Sequence, residues 1–175
     1  MFLLDPLIRS RIYDSVYWKE HCFGLNESTL IDRVADHVRC VGGLYSASRV
    51  TPFLCLVQKL LQIAPSPAVV QLYIQHPGSK YVRALGAVGA RLMLPAVDVY
   101  TLLEPLRTDC RKLRYRLASG QVRLLHVDEL ADMLLRDERV FGIALPRLTS
   151  RRLLEEAGTL DVYVSPLEES CEDED

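Results

Sequence analysis

An all-α domain of about eight to ten helices is the fold this sequence predicts, and three observations carry the expectation. Helix-start signals recur: Asp5-Pro6, Thr51-Pro52 and Ser66-Pro67 each place a capping oxygen before a proline. At a helix's first position proline's fixed φ and missing N–H cost nothing. Apolar residues recur at helical spacing, as in Phe53, Leu56, Val57, Leu60 and Leu61 of TPFLCLVQKLLQI. Alternating apolar and polar runs bounded by Asn-Gly turns, the usual mark of strands, are missing.

In chain order, Asp5-Pro6 opens a first helical stretch that closes near Gly24, with Trp18 and Phe23 as its expected anchors. Asn26 or Ser28 caps the run TLIDRVADHV. RCVGGLYSASRVT, residues 39–51, holds no sustained period and reads as an ordered loop anchored by Val41, Leu44 and Tyr45. Helices follow from Thr51-Pro52 and Ser66-Pro67. Ser79 caps KYVRALGAVGARLML, where Gly86 and Gly89 suit close approach by another helix better than a phosphate loop, since no strand precedes them. Residues 95–120 read as two helices or one bent at Pro105. Leu106, Cys110, Leu113 and Leu117 form the stripe of the second half, and Gly120 marks the stop. HVDELADMLLRDERV and LPRLTSRRLLEEAG supply the last two helices.

The 175 residues suit one domain, long enough to bury a core without metal or disulfide. All 21 basic residues lie in residues 1–159 with 16 of the 23 acids, a surplus of five; the other seven acids fall in residues 160–175. The expected organisation is therefore a helical domain over residues 1–159 and an acidic, disordered tail over residues 160–175, which has the charge to compete with an acidic ligand for a basic face. Five widely spaced cysteines without a C-x-x-C fit a reducing, intracellular setting. The N-terminus does not read as a signal peptide. The most apolar stretch, residues 84–97, is interrupted by Arg91 and too short to span a bilayer.

YWKEHCFGL resembles a reacting cluster, yet adjacent residues on a helix point about 100° apart, so His21 and Cys22 do not converge. Cys22 also falls near a helix C-terminus, whose negative dipole disfavours a thiolate. No two histidines stand at i, i+4, and neither H-E-x-x-H nor G-x-S-x-G occurs. The residues therefore predict no catalytic site, no metal site and no cofactor.

Two charged groups remain. Arg107, Arg111 and Arg114 follow i, i+4, i+7 and share one stripe if residues 106–117 are helical. With seventeen Arg to four Lys, the chain favours planar partners such as phosphate or carboxylate, so this stripe is the candidate contact for RNA or an acidic partner. A solvated face paired to acids within the fold is the simpler explanation of the stripe. Asp128, Glu129 and Asp132 suit the positive end of their own helix, and are also the candidate contact for a protein partner.

Six runs, IRSRIYDSVYWKEHCFGL, TPFLCLVQKLLQI, KYVRALGAVGARL, DVYTLLEPLRTDCRKLR, LLHVDELADMLL and IALPRL, together resemble the pre-mRNA-splicing factor 38 family, in the family's order and over most of residues 5–156. The resemblance implies an all-helical, non-enzymatic nuclear protein acting by contact in the spliceosome. It would associate with the U4/U6.U5 tri-snRNP and be needed when U4/U6 pairing is undone and U4 leaves. The implied partners are a zinc-finger splicing protein and a long helical protein of the microfibrillar-associated type. Direct RNA contact through the Arg107, Arg111 and Arg114 stripe is the alternative that the residues themselves offer, and the hydropathy of the chain predicts no membrane partner. Many animal and plant members carry an arginine/serine-rich tail, where this chain has acids.

Overall fold

The computed structural model describes residues 4–164. Among these, nine α-helices surround one core, and seven short strands stand where an all-α fold was expected. The helices are α1 (Pro6–Asp14), α2 (Val16–His21), α3 (Glu27–His37), α4 (Pro52–Ile63), α5 (Pro67–Ile74), α6 (Lys80–Met93), α7 (Ala96–Leu103), α8 (Val127–Arg136) and α9 (Arg151–Glu156). Most starts are capped as the sequence suggests. Asp5 accepts from the Leu7 N–H at 2.8 Å, Thr51 from Leu54 at 3.2 Å and Ser79 from Val82 at 3.4 Å. Asn26, not Ser28, caps α3, and Thr29 returns a bond to the Asn26 N–H to close a capping box. Ser66 makes no side-chain cap bond.

The first helical stretch is broken at Ser15. Its hydroxyl donates to the Ile12 carbonyl at 2.6 Å and accepts from the Trp18 N–H at 3.2 Å, ending α1 and starting α2. Trp18 is buried at 9% exposure, as its expected role as an anchor requires. Phe23 is not an anchor: it is 74% exposed, because α2 has already ended at His21 and the chain turns outward through Gly24 at φ +66.

Helices α4 and α6 form the centre. α4 buries Phe53, Leu54, Cys55, Leu56, Val57, Leu60 and Leu61, and α6 is buried along most of its length. The two glycines of α6 explain how neighbours come so close. A Cβ at Gly86 would lie 2.8 Å from the Ile74 nitrogen of α5, and one at Gly89 2.5 Å from Leu60 of α4. The expected helix–helix role of GAVGAR is the one the structure shows.

The second helix expected between Pro105 and Gly120 does not form. Residues Glu104–Thr108 make a 3-10 turn, and Lys112–Arg116 become a strand. In chain order the strands are β1 (Val41–Gly42), β2 (Leu44–Tyr45), β3 (Arg49–Val50), β4 (Lys112–Arg116), β5 (Val122–His126), β6 (Arg139–Val140) and β7 (Ile143–Ala144). β4 pairs in parallel with β1 and antiparallel with β5, with Arg114 opposite Leu124. Leu113 and Leu125 point into the core while Lys112 and Arg114 face out, the period of two that a half-buried sheet imposes. Residues 39–51 are ordered, with Val41 buried and β2 and β3 pairing as a short hairpin. A side chain at Gly43 would overlap the Phe141 carbonyl oxygen, so this loop and the β6–β7 turn pack backbone to backbone. The last expected helix is shorter than its sequence run, because residues 145–150 lie outside regular secondary structure before α9.

Candidate functional site

The strand β4 dissolves the helical arginine stripe. Arg107 lies in the 3-10 turn, Arg111 just before β4 and Arg114 within it. Arg111 grips Asp109 as a fork, Nε to Oδ1 at 2.9 Å and Nη2 to Oδ2 at 2.7 Å. Arg83 of α6 reaches the same carboxylate at 3.0 Å. The Arg111 hydrogen bonds, outweighing the opposing effect of partial burial, hold the Asp109 carboxyl below the usual carboxylate range. Arg114 alone of the three is exposed and without a carboxylate among the described residues. It shares the outer face of the β4–β5 hairpin with Lys112 and Arg116, and with the half-exposed Val122 and Leu124.

The structure brings Arg107 to the acidic group instead. Asp132 accepts from the Arg107 Nε at 2.9 Å and lies 3.7 Å from Arg136. Glu129 caps the start of α8, accepting from the His126 backbone N–H at 2.7 Å, and its own carboxyl is held low by that bond. Asp128 Oδ1 is buried with no hydrogen-bond partner among the described residues. These four charged residues, with Arg136 and Tyr163, line one cleft of about 330 Å³, and the Tyr163 ring sits 5.4 Å from the Arg107 guanidinium. The candidate RNA contact and the candidate protein contact thus neutralise one another in part.

A second concentration of charge was not singled out in the sequence. Arg91, which reads there only as a break in an apolar run, is 5% exposed in α6. Its Nε donates to the Leu134 carbonyl at 2.7 Å, and no carboxylate stands within 4 Å of it among the described residues. Burial lowers its pKa from the ordinary arginine value. It lines a groove of about 830 Å³ together with Arg136, Arg139, Arg147 and Arg151. A lone arginine inside an otherwise apolar helix was the available signal, since such a charge is retained only when something outside the helix engages it.

The cluster of reactive residue types at the N-terminus carries no activated nucleophile. Burial pushes the Cys22 thiol up to about 12 and Cys55 to about 11. His21 packs its ring 4.8 Å from His37 and 5.0 Å from Tyr17. Burial first, and then the Arg33 guanidinium 3.1 Å away, hold the His37 ring below its usual range. Beside this cluster, Tyr13, Trp18, Cys22, Phe23, Lys59 and Gln62 line a shallow apolar cleft, and Leu7 and Val16 add to the exposed apolar surface of α1 and α2. Among the described residues no three His, Cys, Asp or Glu side chains are grouped to hold a metal ion, and no helix is long and apolar enough to cross a membrane.

Comparison with known proteins fits this picture of contact surfaces. The PRP38 family model matches residues 1–158. Pre-mRNA-splicing factor 38A of Homo sapiens is 47% identical over 173 residues, which cover 98% of this chain and 55% of the human protein. Pre-mRNA-splicing factor 38 of Drosophila melanogaster is 47% identical over 174 residues, 99% of this chain and 52% of that protein. The chain thus spans about half the length of these curated relatives. Among solved structures, the crystal structure of the Snu23-Prp38-MFAP1(217-258) complex of Chaetomium thermophilum contains a chain that superposes with a TM-score of 0.89 at 43% identity, covering 98% of this chain and 91% of that one.

Proposed function

The chain belongs to the PRP38 family, and from that premise we propose that it is a non-catalytic protein-interaction scaffold of pre-mRNA splicing. It acts in the nucleus, associates with the U4/U6.U5 tri-snRNP and is required for the activation step in which U4/U6 pairing is undone and U4 leaves. Its partners are a zinc-finger splicing protein and a helical segment of the microfibrillar-associated type. The observation that carries this reading is the structural neighbour, whose chain of the same fold sits in a complex with Snu23 and an MFAP1 segment. The charged cleft, with Asp128, Glu129 and Asp132, and the exposed apolar surface of α1 and α2 are the faces on which we place protein contacts. Affinity capture from nuclear extract tests it: splicing proteins and the U4, U5 and U6 RNAs should be recovered, and a capture that contains none of them contradicts it.

Direct RNA contact is the second reading. The helical stripe first favoured it, but Arg107 and Arg111 are engaged by Asp132 and Asp109. What supports it now is the outer face of the hairpin, where Lys112, Arg114 and Arg116 align. RNA affinity there would fall steeply with salt as counterions are released. Unchanged affinity after Lys112→Glu with Arg114→Glu and Arg116→Glu would exclude that face.

A further inference from the structure

The groove around Arg91 concentrates cationic side chains. Arg91, Arg136, Arg139, Arg147 and Arg151 line it, opposed only by Asp137 and Glu138. Arg136 and Arg151 already have carboxylates, in Asp132 and in Glu104 with Glu155. Arg91, Arg139 and Arg147 have none among the described residues. Arg91 is the telling member: the residue as a whole is 5% exposed, its Nε is bonded to the Leu134 carbonyl, and its terminal nitrogens make no hydrogen bond among the described residues and keep access to the groove. A buried charge left this way is costly unless an anion completes it.

The end of the described chain lies beside this groove, at a cavity that shares Arg151 with it. Residues 159–164 run from α9 back past Arg151, and the Tyr163 ring stacks 5.2 Å from the Arg151 guanidinium. Val164 lines the adjoining cavity, which shares Arg151 with the groove. From there residues 165–175 continue with the sequence SPLEESCEDED, six acids and no base. Eleven extended residues reach at most about 36–40 Å and the first four about 14 Å. The groove also has apolar wall in Leu145, Pro146 and Leu148, a match for Pro166 and Leu167.

The geometry points to an anion-binding groove whose occupant is the chain's own acidic segment, residues 165–175, docked in cis over Arg91, Arg139 and Arg147. A carboxylate pairs with the planar guanidinium as a two-pronged acceptor. Among the described residues Tyr100 is the one aromatic side chain lining the groove and it is buried, so bases would find no open platform there; the apolar wall and the arginines favour a peptide of mixed acidic and apolar character over a phosphate chain. Occupied in this way, the groove would be closed to any acidic partner that binds less well than a tethered segment. The inference does not rest on the splicing role.

The test uses the purified chain without any splicing component. Amide and arginine Nε–H resonances of the intact chain are compared with those of a variant in which Glu168, Glu169, Glu172 and Glu174 become Gln and Asp173 and Asp175 become Asn. Differences should concentrate at residues 145–150 and at Arg91, Arg139 and Arg147, and should vanish in high salt. A peptide of residues 165–175 added to the neutralised variant should restore the original shifts, binding roughly tenfold more weakly at high than at low salt as the charges are screened. Arg139→Glu with Arg147→Glu, both on the exposed rim, should abolish the peptide effect while the rest of the spectrum stays that of the folded chain. The inference is overturned if the groove resonances do not differ, or if the differences fall on Lys112, Arg114 and Arg116. It is equally overturned if an oligouridylate shifts the groove of the neutralised variant and the peptide does not.

Discussion

Two groups of arginines behave in opposite ways. Arg107, Arg111 and Arg114 are close in sequence, and the fold separates them: one into a cleft with Asp132, one onto Asp109, one onto a strand. Arg91, Arg139 and Arg147 are scattered over three segments, and the fold gathers them in one groove without acids of their own. Two of the three charges that neighbour one another along the chain find nearby acids and are absorbed into structure. Charges that converge only in the folded protein have been placed together, and that placement is the better guide to a ligand.

The largest expected effect comes from breaking the absorbed group. Asp109→Ala would leave Arg111 and Arg83 facing each other without their shared carboxylate, and should cost roughly 2–3 kcal/mol in urea denaturation. That is less than the 3–5 typical of a fully buried pair, because Arg111 is more than a third exposed. The same pair has a signature in acid. Because the folded Asp109 carboxyl lies below its usual range, its contribution is complete above the unfolded value near 4 and is lost as pH falls through the lower folded value. The gap in stability between the intact chain and Asp109→Asn should therefore be widest near neutral pH and close in strong acid.

Smaller effects sharpen the contrast. Arg107→Ala should cost about 0.5–1 kcal/mol, since Asp132 is substantially exposed and keeps Arg136 nearby. Arg91→Met should change stability by about 1 kcal/mol or less, the lost bond to Leu134 being offset by relief of a desolvated charge; a loss well above that would mean the arginine is retained for folding and not for a ligand. Arg139→Ala and Arg147→Ala should stay within about 0.5 kcal/mol by the same denaturation measurement, as surface substitutions generally do.

What was legible in the sequence was local. Caps at Asp5, Thr51 and Ser79 act across three residues, and the small residues at Gly86 and Gly89 announce close packing without specifying the neighbour. The strand β4 was hidden because two periods compete in one run. Leu106, Cys110, Leu113 and Leu117 fit a helix, while Leu113 and Tyr115 alternate with Lys112, Arg114 and Arg116 as in a strand, and Ser119-Gly120 supplies a turn. Pairing with β1, some seventy residues earlier, and with β5 decides between them, and no local signal reports a partner that distant. Phe23 was misplaced for a similar reason: its residue type favours burial, but the exit of the chain after α2 leaves it outside. The groove was illegible because its arginines come together only through α6, the end of α8, β6 and the segment leading into α9.

The most direct measurement of the proposed role is the U4 content of spliceosomes assembled in nuclear extract depleted of this protein. Assembly should proceed to complexes that retain U4, and adding back the purified chain should let U4 leave. Release of U4 at the normal rate from the depleted extract would contradict the proposed role.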